Sequence, residues 1–317
     1  MNTAKRMSLL VLSLCVVPDA AWAEAPAQAG DLLDGVGLVA QAGPSVVLVD
    51  AGAEPREELR YDFSGFTPQT MQMDMNMSMS MEGPATGTQQ QTLPTMRMIM
   101  SIPTVEATPE GNLRMAFSLD RYEVLPTEGV APEMMQALQS SLASVGTMSG
   151  WNVIDNRGSF IDGDINVSAG SSAAQMMTSI EDSMEQMVAP FPSEAVGLGA
   201  RWQTSTEVTV NGLTLAQTAT FTLASRSGDN VVLDVTIEQN APPQDIADPS
   251  MPPGAVAHLD EMQTTGTGRM SLSLTNVVPN STLSMSTAMR MSVVQNGTTT
   301  PAMAMTTRID MVIGPMP

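Results

Sequence analysis

The chain has 317 residues, a formal net charge of −20 and a sequence pI near 4.1. Its only cysteine is Cys15, its only histidine is His258, and lysine does not occur after Lys5. So acidic a chain excludes nucleic acid and anionic membrane surfaces as expected partners, because both need a basic patch.

The first 23 residues read as a secretory signal peptide. Lys5 and Arg6 form a basic start, Met7 to Val17 an apolar run, and Ala21-Trp22-Ala23 a small-x-small cleavage site. Cys15 would be lipidated in a lipoprotein signal, but Leu14 before it is not small and the A-x-A site follows, so ordinary cleavage is the expectation. Cleavage after Ala23 leaves a mature chain without cysteine, which closes disulfides, thiolate metal sites and cysteine nucleophiles together. No later segment has 18 uninterrupted apolar residues, so no membrane-spanning helix is expected, and the mature protein should be periplasmic or extracellular.

Most of residues 24–56, rich in Ala, Gly and Pro, reads as a linker, with one short apolar run at Ser45–Val49 that reads as a strand or a docked tail. The main domain is expected over 57–317. Its dominant feature is the run from Met71 to Met81, where Met71, Met73, Met75, Met77, Met79 and Met81 alternate strictly with polar residues. Period-two alternation is the signature of a strand with one buried and one wet face, whereas a helix would scatter these residues around its circumference.

The alternation recurs at Met96, Met98 and Met100, and again at Leu113, Met115, Phe117 and Leu119. Towards the C-terminus the apolar series are Met270, Leu272, Leu274; Leu283, Met285, Met289, Met291, Val293; and Met303, Met305, Ile309, Met311, Ile313. Further strands are predicted at 151–156, 159–167, 201–211, 213–225 and 230–239. Turn signals such as Pro109-Glu110-Gly111, Asn156-Arg157-Gly158 and Gly228-Asp229-Asn230 separate them, and short turns imply antiparallel neighbours.

Two amphipathic helices are predicted. Residues 133–145 place Met134, Leu138, Leu142 and Val145 on one face; residues 172–188 do the same with Met177, Ile180, Met184 and Met187. The stretches on either side, about 57–170 and 190–317, look like two similar halves, one opening at Arg60-Tyr61 and the other at Arg201-Trp202. The Pro-, Asp- and Ala-rich stretch 241–262 reads as a loop.

Catalytic chemistries find little to work with. His258 lies in that loop and reads as a solvated residue, and Ser-Lys or Cys-His nucleophile pairs have no partners. Asp162-Gly163-Asp164-Ile165-Asn166 begins like a calcium loop, but Val167 stands where Gly is needed and Ala173 where Glu is needed. Zinc lacks ligands, and no cofactor is implied. Thioethers suit copper(I), but a three-thioether site needs Met residues from neighbouring strands. A transmembrane barrel is disfavoured by 3% aromatic content, too little for two interfacial girdles.

Three segments carry a family resemblance: Gly52-Ala53-Glu54-Pro55-Arg56-Glu57-Glu58-Leu59-Arg60-Tyr61; Pro94-Thr95-Met96-Arg97-Met98-Ile99-Met100; and Phe191-Pro192 with Val196-Gly197-Leu198-Gly199-Ala200-Arg201-Trp202. With them the chain, from about residue 50 to its end, resembles an uncharacterised bacterial family of exported Met-rich β-proteins with a domain of unknown function. The resemblance brings no activity and no functional residues. At the level of fold the pattern is also similar to bacterial lipoprotein carriers, which bend a sheet into a half-barrel and plug it with helices.

The expected fold is therefore mainly β: a large curved antiparallel sheet or half-barrel, in two similar halves, with two helices over its Met-rich face. The expected role is non-catalytic. One reading is a hydrophobic small molecule or lipid held between helices and sheet, facing the ladder residues, Met285, Met289, Met303, Met305 and the apolar stripes of the helices. The alternatives are a structural or envelope-interaction protein with a fully packed Met core, and copper binding by thioethers.

Overall fold

The computed structural model describes residues 45–83, 87–143, 148–167, 189–210, 213–246, 255–295 and 298–316. The expected signal peptide and the predicted helix at 172–188 lie outside these residues. The strands are β1 Ser45–Asp50, β2 Gln69–Gly83, β3 Gly87–Thr92, β4 Thr95–Ala107, β5 Leu113–Leu125, β6 Met148–Ile154, β7 Phe160–Val167, β8 Arg201–Val210, β9 Leu213–Ser227, β10 Asn230–Ala241, β11 Gln244–Ile246, β12 Ala255–Ser273, β13 Asn280–Gln295 and β14 Thr298–Pro315. One helix, α1 at Pro132–Ala143, is present among the described residues.

All the strands belong to one 14-stranded sheet in the order β1-β8-β9-β10-β12-β13-β14-β2-β4-β5-β6-β7, with β11 attached to β12 and β3 to β2. Every pairing is antiparallel. The sheet does not close: β1 and β7 end the order and do not pair with each other. Strands from the two halves of the chain meet once in its middle, at β14 and β2.

The sheet is nevertheless bent hard. In its order β8 stands second and β6 eleventh, so nine spacings of about 4.8 Å would hold them roughly 43 Å apart on a flat surface. Two consecutive residues bridge that gap. The Trp202 indole of β8 donates to the Pro190 carbonyl at 2.8 Å, and the Phe191 amide donates to the Arg157 carbonyl, in the turn after β6, at 2.8 Å. A second bridge runs alongside: the Tyr61 amide reaches Asn156 and the Asp62 amide reaches Leu274 beyond β12, each at 2.8 Å.

These bridges are held by an aromatic stack. Tyr61 lies on Phe191 at 4.9 Å, Phe191 meets Trp202 edge-on at 6.4 Å, and Trp202 stacks on Phe221 at 5.9 Å. Phe191 and Trp202 are fully buried. The first and third segments of the family resemblance interlock here: the Ala53 amide donates to Leu198, and Glu57 and Val196 exchange two backbone bonds. The approach is so close that a Cβ at Gly197 would lie 1.7 Å from the Ala53 carbonyl oxygen. On β12, Gly266 and Gly268 leave their space to Met285 and Leu283 of the neighbouring strand, the use of glycine where a sheet bends sharply.

Within the expected linker 24–56 the apolar run forms a strand, Ser45–Asp50, that pairs along β8, because the alternating Val and Leu residues there meet Trp202 and Thr204. Several expectations need correction. Arg60-Tyr61 opens no strand; Tyr61 belongs to the aromatic stack and β2 begins at Gln69. The supposed loop 241–262 contains β11 and the start of β12. His258 is not a loop residue: it lies on β12 with its imidazole Nδ1 2.7 Å from Asp245 of β11.

Two predictions test the bend. Gly197→Ala has no room for relaxation and should destabilise the protein by about 3 kcal/mol or more, whereas Gly199→Ala, with open space at its Cβ but φ of +80°, should cost only about 1–2 kcal/mol; urea unfolding of both variants measures the difference. Trp202→Phe keeps the ring but strands the Pro190 carbonyl, and a loss of about 1–3 kcal/mol is expected in the same assay.

Candidate functional site

The ladder residues sit on the buried side of the sheet, and the register aligns them across strands. On β2 and β4, Met71 faces Met100, Met73 faces Met98 and Met75 faces Met96. On β13 and β14, Met289 faces Met305 and Met291 faces Met303. Met71, Met75, Met77, Met79, Met100, Met285, Met289 and Met305 are each under a tenth exposed. Met73, Met81, Met96, Met98 and Met303 are half-buried, as are Met134 and Leu138 on α1. The Gln91 side chain of β3 donates to the Met134 thioether at 3.8 Å. Met177, Ile180 and Met184 lie outside the described residues.

The buried face is not uniformly apolar. It holds two hydrophobic clusters, a large one containing Met71, Met75, Met77, Met100 and the aromatic stack, and a smaller one of Met79, Leu215, Ala241, Leu259, Met262, Met289 and Met305. Between them runs a polar belt in continuous register: Thr206 faces Gln217, Gln217 faces Gln239, Gln239 faces Thr264, Thr264 faces Thr287 and Thr287 faces Thr307. From Gln217 to Thr307 every member is under a tenth exposed. The belt crosses six strands and ends on Met79 of β2, which faces Thr307.

Buried hydroxyls and amides need partners, since each one left without costs about 1–3 kcal/mol. The belt supplies some of its own. Thr264 lies 2.8 Å from the Thr287 hydroxyl and 3.3 Å from the Gln239 side-chain oxygen. The Thr206 hydroxyl is buried with no hydrogen-bond partner among the described residues. Sequence reasoning missed the belt, although its trace is present: the apolar series on β13 and β14 skip Thr287 and Thr307. One gap per strand looks accidental until the register lines the gaps up.

The opposite face is wet and carries the strongest ion pair. Asp74 and Arg97 are cross-strand neighbours joined by two hydrogen bonds of 2.7 Å, and these hold the Asp74 carboxyl below the usual carboxylate range. Arg114 lies over the Trp151 ring at 4.3 Å. On the buried face, desolvation pushes the Tyr122 phenol, opposite Met98, up to about 12, and its hydroxyl has no hydrogen-bond partner among the described residues. Among those residues no three His, Cys, Asp or Glu side chains gather to hold a metal, and no helix is long and apolar enough to cross a membrane.

The Asp74 pair makes a signed pH prediction. A carboxyl held low in the folded state stabilises the fold above its unfolded value near 3.9 and loses that contribution as pH falls through the lower folded value. Asp74→Asn should therefore flatten the acid limb of stability below about pH 4, seen as a smaller drop in thermal midpoint between pH 5 and pH 2.5 than in the unaltered protein.

Comparison with known proteins adds family information but no activity. No curated protein matches the chain. A family model described as a family of unknown function, DUF6263, matches residues 175–300. The match takes in the Phe191–Trp202 segment, β8 to β10 and most of the strands that form the polar belt, and leaves the β2 ladder outside it. A family of unknown function, DUF6263, thus spans residues 175–300 of this chain, in keeping with the uncharacterised family expected from its sequence.

Proposed function

We propose that this is an exported, non-catalytic binding protein for a hydrophobic ligand, a lipid or acyl chain, that carries a small uncharged polar group. The observation that carries this reading is the polar belt. A face meant only to be filled has no need of in-register Thr and Gln side chains between two apolar clusters, and apolar residues there would avoid the desolvation cost. An amphiphile uses both kinds of surface: its chain lies on the clusters and its polar group hydrogen-bonds to the belt.

The methionines suit the same task. Their unbranched, flexible and polarizable side chains fill the face when it is empty and repack around chains of varied shape. The non-catalytic character rests on residue types, since lysine does not occur after Lys5 or cysteine after Cys15. Export rests on the N-terminal signal pattern.

One observation favours a second reading, a structural protein with a fully packed core: the eight ladder methionines under a tenth exposed already have close neighbours. The two readings differ in a measurable way. The full chain, exported by a bacterial host and purified without detergent, should show lipid-sized added mass in native mass spectrometry. It should also bind a fluorescent polyene fatty acid saturably. Thr264→Val with Thr287→Val removes both partners of one belt hydrogen bond. That change also takes the Thr264 hydroxyl from the Gln239 oxygen, so it should cost no more than about 1–2 kcal/mol of stability, yet weaken binding about fivefold or more, the equivalent of about 1 kcal/mol. Apo mass alone with non-saturable fluorescence would sink the ligand reading and leave the packed core.

A further inference from the structure

The geometry points to a thioether site for copper(I) on β2 and β4, apart from the polar belt. Three consecutive Met–Met pairs, Met71–Met100, Met73–Met98 and Met75–Met96, stand directly opposite one another there. Directly opposed residues bring their Cβ atoms to about 4.5–5.5 Å, and same-face neighbours along one strand lie about 6.6–6.8 Å apart. Met73, Met75, Met96 and Met98 thus form a four-cornered block. Each sulfur sits at the end of a flexible arm, so three of the four can turn towards one point above the block. This is the cross-strand arrangement that a single strand of alternating methionines cannot make.

The block has both a floor and an opening. Met71, Met75 and Met100 are buried, whereas Met73, Met96 and Met98 are half-buried and reachable from solvent. Met96 and Met98 also pack against the large apolar cluster. Strands favour β-branched and aromatic residues, and a partly wetted position gains little from methionine over valine or isoleucine. Thioethers are soft, neutral ligands that select copper(I) over the hard cations, and they need no deprotonation to bind. The Asp74–Arg97 pair lies on the opposite face, since its residues alternate with Met73, Met75, Met96 and Met98 in the same register, and takes no part. The long-range field of a chain with net charge −20 draws cations to the surface.

The test is competition between the purified full chain and a chromophoric copper(I) chelator, run anaerobically with ascorbate, with X-ray absorption at the copper edge. One copper(I) per chain in a sulfur-dominated shell is expected. Met73→Leu with Met98→Leu, a volume-conserving change, should lower affinity by at least the 10–100-fold that lesser, outer-shell changes cause, while far-UV circular dichroism and thermal midpoint confirm the fold. Met96→Leu alone is the milder variant if the pair unfolds, and it should lower affinity in the same direction. Met289→Leu with Met305→Leu alters the two-pair block on β13 and β14; a loss of affinity there and not in the Met73/Met98 variant would overturn the placement on β2 and β4. Failure to compete with the chelator, a shell of oxygen or nitrogen, or unchanged affinity in both the Met73/Met98 and Met96 variants overturns the assignment. The chelator competition is run without lipid and the fatty-acid titration without copper, so failure of the one does not read as failure of the other.

Discussion

The bend of the sheet rests on hydrogen bonds from two adjacent residues. Pro190 accepts from the Trp202 indole near one edge of the sheet, and the Phe191 amide donates to Arg157 near the other. An open sheet of this many strands has a large apolar face, and its single described helix lies along β5, with one further tie to β3 through Gln91 and Met134. The bend brings β8 and the turn after β6, nine spacings apart in the sheet, within reach of the same two residues. The aromatic residues are concentrated where that bend is held, because rigid rings with a polar handle can both fill space and terminate a hydrogen bond. The methionines fill the remainder, where shape is set by the curvature rather than by any one contact.

That division of labour has a functional consequence. Rigid aromatics and close glycine contacts define one end, where Gly197 admits no Cβ. Flexible thioethers line the rest. A core of this kind keeps its overall shape while its inner surface adapts, which suits a binding face better than a uniquely packed one. The polar belt then divides the adaptable surface into two apolar zones with a hydrogen-bonding line between them. Antiparallel register makes the line continuous: a one-residue slip on any strand would turn its belt residue to the solvent face.

Much of the local structure was legible in the residues. The strand at Met71–Met81, the strands at 201–211, 213–225 and 230–239 and the helix at 133–145 all follow from periodicity and turn chemistry, and each has its counterpart in the fold. The failures share a cause. Arg60-Tyr61 reads as a strand start and 241–262 as a loop, and in each the residue is placed by a partner on another segment: Phe191 for Tyr61 and, across the β11–β12 pairing, Asp245 for His258. Local composition carries no information about such partners.

The sequence by itself determined which side of each strand is apolar, because side chains alternate with a period of two whatever the strand's neighbours are. It also determined that thiol and lysine chemistry are closed to the chain after Cys15, since residue types cannot be supplied by folding. Only the tertiary structure decided which strands lie side by side, and with that the belt, the Met–Met pairs and the bend. The reason is that register is a relation between strands. Thr287 is one polar gap on β13 and Met73 one thioether on β2; they become a polar line and a thioether block only when β12, β14 and β4 place Thr264, Thr307 and Met98 beside them.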